Sequence, residues 1–276
     1  MSPTQVHKAE ALRSLHHGDK PLVLANAWDA ASARIFEDLG FPAIATSSAG
    51  VAFTLGYPDG QFIPRDEMLL MTRRIASVAG VPVTADIEAG FGGDNLDELL
   101  ATVRGVMDAG VVGINLEDGD AGGLYPIDVQ AAKIRAIRGY ATEYGVPLVI
   151  NARTDAFRVT GLTNDQRIEA ALGRAAAYLE AGADCIFTPF VTDIETIEVL
   201  AKGIAGPLNI LAVAGSPPVS ELARAGVARI STGGGPCRAA LGMARRIGRE
   251  LLETGTYAHM AEGAVSYAEM NALLTE

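Results

Sequence analysis

The stretch Val81-Pro-Val-Thr-Ala-Asp-Ile-Glu-Ala-Gly-Phe-Gly-Gly93 sets a pattern that the rest of the chain repeats. It begins as an apolar run, which predicts a buried strand, and it ends in a glycine-rich turn. Asp86 and Glu88 lie at the junction, and residues i and i+2 of a strand face the same side. Two carboxylates in one small volume repel each other unless a cation or a shared proton lies between them. The stretch therefore predicts a divalent metal at the end of a strand.

Strand-like apolar runs followed by helical patterns recur through all 276 residues. The other runs are 21–27, 42–48, 113–118, 147–154, 185–190, 208–213 and 229–232. Ala-Gly pairs at 109–110, 181–182 and 225–226 resemble helix ends that lead into buried strands. Apolar strands that alternate with helices predict a parallel sheet, and eight such units predict a (β/α)₈ TIM-type barrel.

We expect this barrel to be a single α/β domain over residues 1–276, with an N-terminal helix at 4–17 and an extra C-terminal helical segment from residue 257. The alternative is a doubly wound open sheet. It is disfavoured because no G-x-G-x-x-G motif follows the first strand.

The charge balance limits the class of partner. The chain has 22 Lys and Arg against 33 Asp and Glu, a net charge of −11, which argues against nucleic acid and anionic membranes. No window reaches the roughly 18 apolar residues of a membrane span, and the N-terminus lacks a signal-peptide core. Cys185 and Cys237 form no disulfide framework. We therefore expect a cytoplasmic protein.

Polar residues cluster where the predicted strands end, which is where barrel enzymes carry their chemistry. Asp86 and Glu88 end the third strand, Glu117 ends the fourth and Arg153 ends the fifth. Oxygen ligands without Cys or His favour Mg²⁺, with Mn²⁺ as a second possibility. Mg²⁺ keeps several waters, so one carboxylate is expected to bind it directly. Arg153 offers a planar fork for a substrate carboxylate.

Other polar residues have alternative explanations. Asp29, Asp118 and Asp155 precede helices or loops, where an Asp is often a cap. Ser47 and Ser48 are either small strand-end residues or donors for an oxyanion. The turn 231–236 is a competing candidate for a phosphate site. The histidines, His7, His16, His17 and His259, lie near the termini and are expected at the surface, which disfavours zinc and histidine catalysis.

Six phrases resemble the isocitrate lyase/phosphoenolpyruvate mutase superfamily, in order and over nearly the whole chain. They are Asn26-Ala-Trp-Asp-Ala-Ala-Ser-Ala-Arg34, Thr46-Ser-Ser-Ala-Gly-Val-Ala52, Gly56-Tyr-Pro-Asp59, Ala85-Asp-Ile-Glu-Ala-Gly-Phe-Gly92, Gly113-Ile-Asn-Leu-Glu-Asp118 and Ala152-Arg-Thr-Asp-Ala156. The resemblance implies a (β/α)₈ barrel, Mg²⁺ and a bound 2-oxo acid or its enolate. It also implies a homo-oligomer, a dimer or a tetramer, in which a helix within 257–275 is exchanged between subunits.

The resemblance also implies roles for single residues. Asp86 would bind the metal directly, while Asp59, Glu88 and Glu117 would hold metal-bound waters. Ser47, Ser48 and Ala49 would present N–H groups and a hydroxyl to the substrate. Trp28 would wall the pocket, and Arg153 would hold a carboxylate or an oxygen. Asn209, in the seventh strand, is a further candidate for substrate binding.

Three departures from the superfamily pattern concern the bond that is broken. The lyases carry a Lys-Lys-Cys-Gly-His loop after the fourth strand, with the Cys as general acid, and the mutases carry Lys with Asn-Ser. This chain has only Gly119-Asp-Ala-Gly-Gly-Leu-Tyr-Pro-Ile127, in which Tyr125 is a candidate substitute acid or lid residue. Glu88 stands where many relatives have Asp, and Thr188-Pro-Phe190 stands where the lyases place a Glu.

These features together predict a Mg²⁺-dependent lyase that cleaves or forms a C–C bond next to a 2-oxo acid enolate, on an isocitrate-, 2-methylisocitrate- or oxaloacetate-like substrate. A P–C mutase or hydrolase acting on phosphonopyruvate-like acids is the alternative enzyme. A metal-dependent protein that binds 2-oxo acids with little catalysis is the alternative from another class.

Overall fold

The computed structural model describes residues 5–120 and 123–275. A nine-stranded sheet, in which every pairing is parallel, forms the centre of the molecule in the order β1-β11-β10-β9-β8-β5-β4-β3-β2. The strands are β1 (Leu22–Leu24), β2 (Asn26–Ala27), β3 (Ile44–Thr46), β4 (Val83–Asp86), β5 (Gly113–Glu117), β6 (Gly119–Asp120), β7 (Gly123–Leu124), β8 (Val149–Arg153), β9 (Cys185–Thr188), β10 (Leu208–Leu211) and β11 (Arg229–Ser231).

Helices follow the barrel strands and surround them. They are α1 (Gln5–Leu15), α2 (Ala30–Asp38), α3 (Ser48–Thr54), α4 (Arg65–Val78), α5 (Leu96–Asp108), α6 (Ile127–Tyr144), α7 (Asn164–Glu180), α8 (Ile194–Gly203), α9 (Val219–Arg224), α10 (Gly235–Glu253), α11 (Ala258–Ala261) and α12 (Tyr267–Thr275). A 3₁₀ turn, Ala156–Arg158, follows β8. In the described parts of the chain, no helix combines the length and the apolar character that a bilayer crossing requires.

The sheet closes into a barrel where β1 and β2, two consecutive pieces of the chain, meet. β1 pairs with β11, while β2 pairs with β3, and only Ala25 separates β1 from β2. The two pieces therefore act as one barrel strand, which gives eight strand positions. This arrangement confirms the predicted (β/α)₈ barrel.

Local sequence signals account for many of the helix ends. Asp29 caps α2 by accepting a hydrogen bond from the Ser32 amide, as expected for an Asp at that position. The three Ala-Gly pairs end α5, α7 and α9, and each of their glycines has a positive φ, which glycine tolerates without strain. These ends lead directly into β5, β9 and β11, so the predicted helix-to-strand joins are present.

The structure differs from the expectations at three places. β3 ends at Thr46 and the seven-residue α3 begins at Ser48, within the run 42–48 that was predicted as a strand. β6 and β7 form a small antiparallel pair in the loop after β5. His16 was expected at the surface but is 4% exposed, because α1 buries Ala9 and Leu12 and the His16 ring that follows lies beside the buried Arg229.

Candidate active site

A cavity of about 910 Å³ opens at the carboxyl ends of the barrel strands. Its lining contains both charged or polar and apolar side chains. The charged and polar residues include Asn26, Ser48, Asp59, Asp86, Asn115, Arg153, Arg158 and Arg238, and the apolar residues include Phe53, Phe187, Pro189, Phe190, Leu211 and Val213. The cavity therefore combines several charges with a wall that can hold an apolar group.

Asp86 is the last residue of β4 and faces this cavity. Its Oδ2 accepts a hydrogen bond of 2.7 Å from the Ser48 hydroxyl and one of 3.3 Å from the Ser48 amide. Its Oδ1 accepts a hydrogen bond of 3.2 Å from the Glu88 amide. Donors from α3 and from the turn after β4 thus hold the carboxylate in one orientation.

Glu88 is close to Asp86, but not for the reason that the strand pattern gave. β4 ends at Asp86, and Glu88 has a φ of 50°, so strand alternation does not extend to it. The side chain is nonetheless buried, with 5% of the residue exposed. This burial, with Asp86 and Asp59 nearby, raises the pKa of Glu88 to about 8.

Glu117 and Arg153 form an ion pair between the ends of β5 and β8. Arg153 also donates to Asp155 through Nε at 2.6 Å and Nη2 at 3.0 Å. Burial raises the pKa of Glu117 well above its usual value, while Arg153 acts in the opposite direction. Much of the fork of Arg153 is therefore occupied by carboxylates of the protein itself.

Asp118 supports this pair from outside the cavity. It is fully buried and accepts hydrogen bonds from the Arg174 guanidinium at 3.0 Å, the Tyr178 hydroxyl at 2.8 Å and the Asp155 amide at 2.9 Å. The bond to Asp155 fixes the residue that holds Arg153. Asp118 is thus a structural residue here, although it does not cap a helix.

Ser47, Ser48 and Ala49 were expected to donate hydrogen bonds to the substrate, and they differ in which donors remain free. The Ser47 amide donates to the Ala27 carbonyl at 2.9 Å, and the Ser47 hydroxyl accepts from the Gly50 amide at 3.1 Å. The Ser48 amide and hydroxyl both donate to Asp86. The Ala49 amide has no acceptor among the described residues. It lies in the first turn of α3, where the helix dipole favours an anion.

Glu88 and Glu117 are absent from the cavity lining, and so are three other candidates, Trp28, Tyr125 and Asn209. Trp28 lies behind α3, with its ring edge-on to Phe36 at a centroid distance of 6.4 Å. Tyr125 donates through its hydroxyl to Asp120 at 2.9 Å. Asn209 is fully buried within the barrel and accepts a hydrogen bond of 3.2 Å from the Ser231 hydroxyl.

The structure adds residues that the sequence reasoning did not select. Arg158 donates to Asp155 at 2.9 Å, and its side chain is 58% exposed. Arg238, in the first turn of α10, lines the cavity and forms no ion pair with any described residue. Phe190 lies 5.6 Å from Arg153 and 5.5 Å from Arg158, measured from ring centroid to guanidinium carbon. For Arg238, the Gly-Gly-Gly-Pro sequence at the start of its helix was the one signal that pointed to this part of the cavity.

The carboxylate set fits a hard cation held largely through water. The described residues contain no group of three or more Asp, Glu, His or Cys side chains arranged to hold a metal directly. Asp59, Asp86 and Glu88 are nevertheless close enough that their mutual repulsion raises the pKa of Asp59 and of Glu88, after burial as the larger cause. A cation would relieve that repulsion, and the donors are all oxygen, as Mg²⁺ prefers. A cation bound directly by one carboxylate, and through water by the others, fits both the lack of a direct ligand group among the described residues and the mutual repulsion of the carboxylates.

Comparison with known proteins places this geometry in a family. The model of the phosphoenolpyruvate phosphomutase family matches residues 12–252. An uncharacterised protein of Mycobacterium tuberculosis strain H37Rv is 34% identical over 266 residues, which cover 96% of each chain. The 2,3-dimethylmalate lyase of Eubacterium barkeri is 35% identical over 211 residues, which cover 73% of this chain and 70% of the lyase.

Solved structures give the same result. A lyase/mutase candidate from Burkholderia cenocepacia J2315 superposes with a TM-score of 0.90 at 33% identity, covering 99% of this chain and 98% of the other. Phosphonopyruvate hydrolase in complex with oxalate and Mg²⁺ superposes with a TM-score of 0.82 at 26% identity, covering 96% and 94%. The chain therefore belongs to the phosphoenolpyruvate phosphomutase family, within the isocitrate lyase/phosphoenolpyruvate mutase superfamily.

Proposed function

We propose that this protein is a Mg²⁺-dependent lyase that breaks or forms a C–C bond in a small 2-hydroxy or 2-oxo carboxylic acid. The observation that carries the proposal is Asp86, fixed by donors of α3 and surrounded by further carboxylates at the mouth of the barrel. Its relatives support it, since one is named a 2,3-dimethylmalate lyase and another was solved with oxalate and Mg²⁺.

The site residues divide the work as follows. Asp86 would hold Mg²⁺ directly, and Asp59, Glu88 and Glu117 would hold its waters. Bound Mg²⁺ supplies positive charge next to the substrate oxygens, and Mn²⁺ could take its place. The Ala49 amide would bind the substrate carboxylate, while the Ser48 donors keep Asp86 in place. The N–H groups of Arg153 that Glu117 and Asp155 leave free would bind a substrate oxygen.

Bond cleavage in a 2-hydroxy acid needs one proton removed and one added. The hydroxyl passes its proton to a carboxylate of the site or to water as the C2–C3 bond breaks, and C2 becomes a carbonyl carbon. The electron pair of the broken bond remains on C3, where an adjacent carboxylate delocalises it. C3 then takes up a proton. Tyr125 is our candidate donor by its place in the loop after β5, and to reach C3 its hydroxyl would have to leave Asp120. Trp28 and Asn209 would act as supports of the cavity wall rather than as ligands.

The cavity shape narrows the substrate to a dicarboxylate with apolar substituents. Leu211 ends β10, which lies across the barrel from β4 and Asp86, and with Val213 it lines a part of the cavity where an alkyl group would be buried. Arg158 and Arg238 at the rim offer charge for a second carboxylate. An alkyl-substituted malate fits both features, and the name of the Eubacterium barkeri relative refers to such a compound.

A P–C mutase or hydrolase is the second candidate. The name of the family model and the phosphonopyruvate hydrolase structure favour it, and Arg238 would suit a phosphonate as well as a carboxylate. A 2-oxo acid binding protein with little catalysis is the third, because the loop after β5 lacks the lyase cysteine.

A product assay separates the three candidates. We expect Mg²⁺-dependent release of pyruvate from 2,3-dimethylmalate or 2-methylisocitrate, or of glyoxylate from isocitrate. With oxaloacetate, where cleavage of the C2–C3 bond consumes water, the expected products are oxalate and acetate. Asp86→Asn should abolish release, and Asp165→Asn, an exposed position on α7, should not. Phosphate release or rearrangement of phosphonopyruvate alone would favour the second candidate. Binding of these acids without any turnover would favour the third.

We further propose that the chain is one domain, acts in the cytoplasm and forms a homodimer or homotetramer through its C-terminal helices. Cys237 is the one buried residue of α10, whereas Leu252 is 90% and Tyr267 92% exposed. α12 packs on α2 of the same chain, where Arg34 donates to the Leu273 carbonyl at 2.6 Å. A partner subunit could accept the same helix by exchange. Sedimentation of Leu252→Glu, which should lower the oligomer mass, tests this assembly.

A further inference from the structure

Arg229 is a buried cation without a counter-ion. It lies on β11, inside the barrel and below the cavity, and none of its surface is exposed. No described carboxylate pairs with it. Its Nη1 is 3.5 Å from the Nε2 of His16, and its Nε has no partner. Because burying an unpaired charge is costly, the interior arginine calls for a role other than stability.

Among the described residues, the one oxygen to which Arg229 donates a hydrogen bond belongs to Asn115. Nη2 of Arg229 donates to Oδ1 of Asn115 at 3.1 Å, and Nδ2 of Asn151 donates to the same oxygen at 2.7 Å. A guanidinium has only donors, so the atom that faces it must be the amide oxygen and not the amide nitrogen. Arg229 and Asn151 thus occupy both lone pairs of the Asn115 side-chain oxygen.

The orientation of the Asn115 amide follows from these two bonds. Its NH₂ group must lie on the side away from Arg229, and Asn115 lines the cavity. Asn115 is also the register partner of Asp86, so the two side chains are neighbours at the cavity floor. The NH₂ group has no acceptor among the described residues. A fixed donor therefore stands beside the candidate metal ligand.

We propose that the Asn115 amide donates a hydrogen bond to a substrate oxygen, and that Arg229 and Asn151 are positioning residues that fix this amide. The inference rests on the proposed function, because it takes the bound species to be a 2-oxo or 2-hydroxy acid. A donor that is already oriented needs no reorganisation when negative charge develops on that oxygen. The nearby charge of Arg229 strengthens the donor by polarising the amide.

Two substitutions separate this role from a structural one. Asn115→Asp replaces the donor by an acceptor and gives Arg229 a carboxylate partner, so the variant should fold. Arg229→Met removes the unpaired cation at similar volume, so its melting temperature should be unchanged or higher. Thr84→Val is the matched control, because Thr84 lies on the same interior face two residues before Asp86, and its hydroxyl has no partner.

The experiment is a calorimetric titration of each variant with oxalate in the presence of Mg²⁺, beside thermal melting. We expect the affinity for oxalate to fall about 100-fold in Asn115→Asp and about tenfold in Arg229→Met, with no change in Thr84→Val. In a labelled sample, the side-chain NH₂ resonances of Asn115 should shift when oxalate binds and should shift less in Arg229→Met. On any substrate that the protein turns over, Arg229→Met should lower kcat by a larger factor than it raises KM.

The outcomes are distinguishable. If the wild-type protein binds oxalate with Mg²⁺ and both variants bind it equally well, the inference is overturned while the proposed function stands. If Arg229→Met melts at a lower temperature but binds oxalate normally, Arg229 is structural and the inference is overturned. If the wild-type protein binds no oxalate with Mg²⁺, the inference falls together with the proposed function.

Discussion

Glu117 and Arg153 are register partners on neighbouring strands, and their side chains form an ion pair at the mouth of the barrel. The pair is largely buried, with 13% and 14% of the two side chains exposed. Asp155 and the rings of Phe187 and Phe190 hold the same guanidinium. The cation of Arg153 is therefore both a structural tie between β5 and β8 and part of the cavity wall.

Removal of the Arg153 cation should destabilise the protein. We expect Arg153→Met to lower the free energy of unfolding by about 3 kcal/mol, because Glu117 and Asp155 would remain buried without their partner. Unfolding by denaturant measures the free energy of unfolding of the variant and of the wild-type protein. Arg153→Lys is the control, since it keeps the charge but loses the planar fork, and its loss should be smaller. Equal stability of Arg153→Met and wild type would contradict the assignment.

The stability of the metal-free protein should fall between about pH 5 and pH 8. The pKa of Glu88 is about 8 in the folded protein, against an ordinary value of 4.5, so the folded state binds more protons in this range. The stabilising contribution of protonated Glu88 is complete below its ordinary pKa and is lost as the pH rises through about 8. Glu88→Gln should reduce the pH slope of the unfolding free energy by up to about 1.4 kcal/mol per pH unit. An unchanged pH slope of the unfolding free energy in Glu88→Gln would contradict the assignment of this pH dependence to Glu88.

Binding of Mg²⁺ should release protons near neutral pH. The cation favours the ionised form of Glu88, whose raised pKa leaves it largely protonated at pH 7 in the metal-free protein. We expect the apparent affinity for Mg²⁺ to increase from pH 6.5 to pH 8.5, and calorimetry in buffers of different ionisation enthalpy to show proton release. In Glu88→Gln the proton release should largely disappear. A pH-independent affinity in the wild-type protein would be inconsistent with a site that includes Glu88.

The apolar wall should control which substituent the substrate carries. We expect Leu211→Asn to weaken binding of an alkyl-substituted malate by about fivefold relative to malate itself, because a buried methyl or methylene contributes about 1 kcal/mol. Leu70→Asn is the control, since Leu70 lies on the outer face of α4 and is 56% exposed. An equal effect of Leu211→Asn on both acids would show that the wall does not contact the substituent.

The barrel was predictable because each of its units carries its own local signals. Asp29 marks a helix start, and the Ala-Gly pairs before β5, β9 and β11 mark helix ends. Asp86, Glu117 and Arg153 end parallel strands, and the closed sheet brings such ends together whatever the loops do. The sequence was therefore sufficient to group these three residues.

Other parts of the site depend on contacts that no local pattern records. The Ser47 amide is used by the β2–β3 ladder, and Glu88 faces inward through a left-handed backbone rather than by strand alternation. Arg158 and Arg238 reach the cavity from a turn and a helix that lie 80 residues apart in the sequence. The burial of His16 depends on α1 covering the amino end of the barrel.

The role of Asp86 as the metal ligand is tested by calorimetric titration of oxalate into the wild-type protein, with and without Mg²⁺, and into Asp86→Asn with Mg²⁺. We predict saturable binding to the wild-type protein only when Mg²⁺ is present, and no binding to Asp86→Asn. Binding that needs no metal, or binding that Asp86→Asn retains, would contradict the assignment of Asp86 as the residue that holds the metal for an enolate-like substrate.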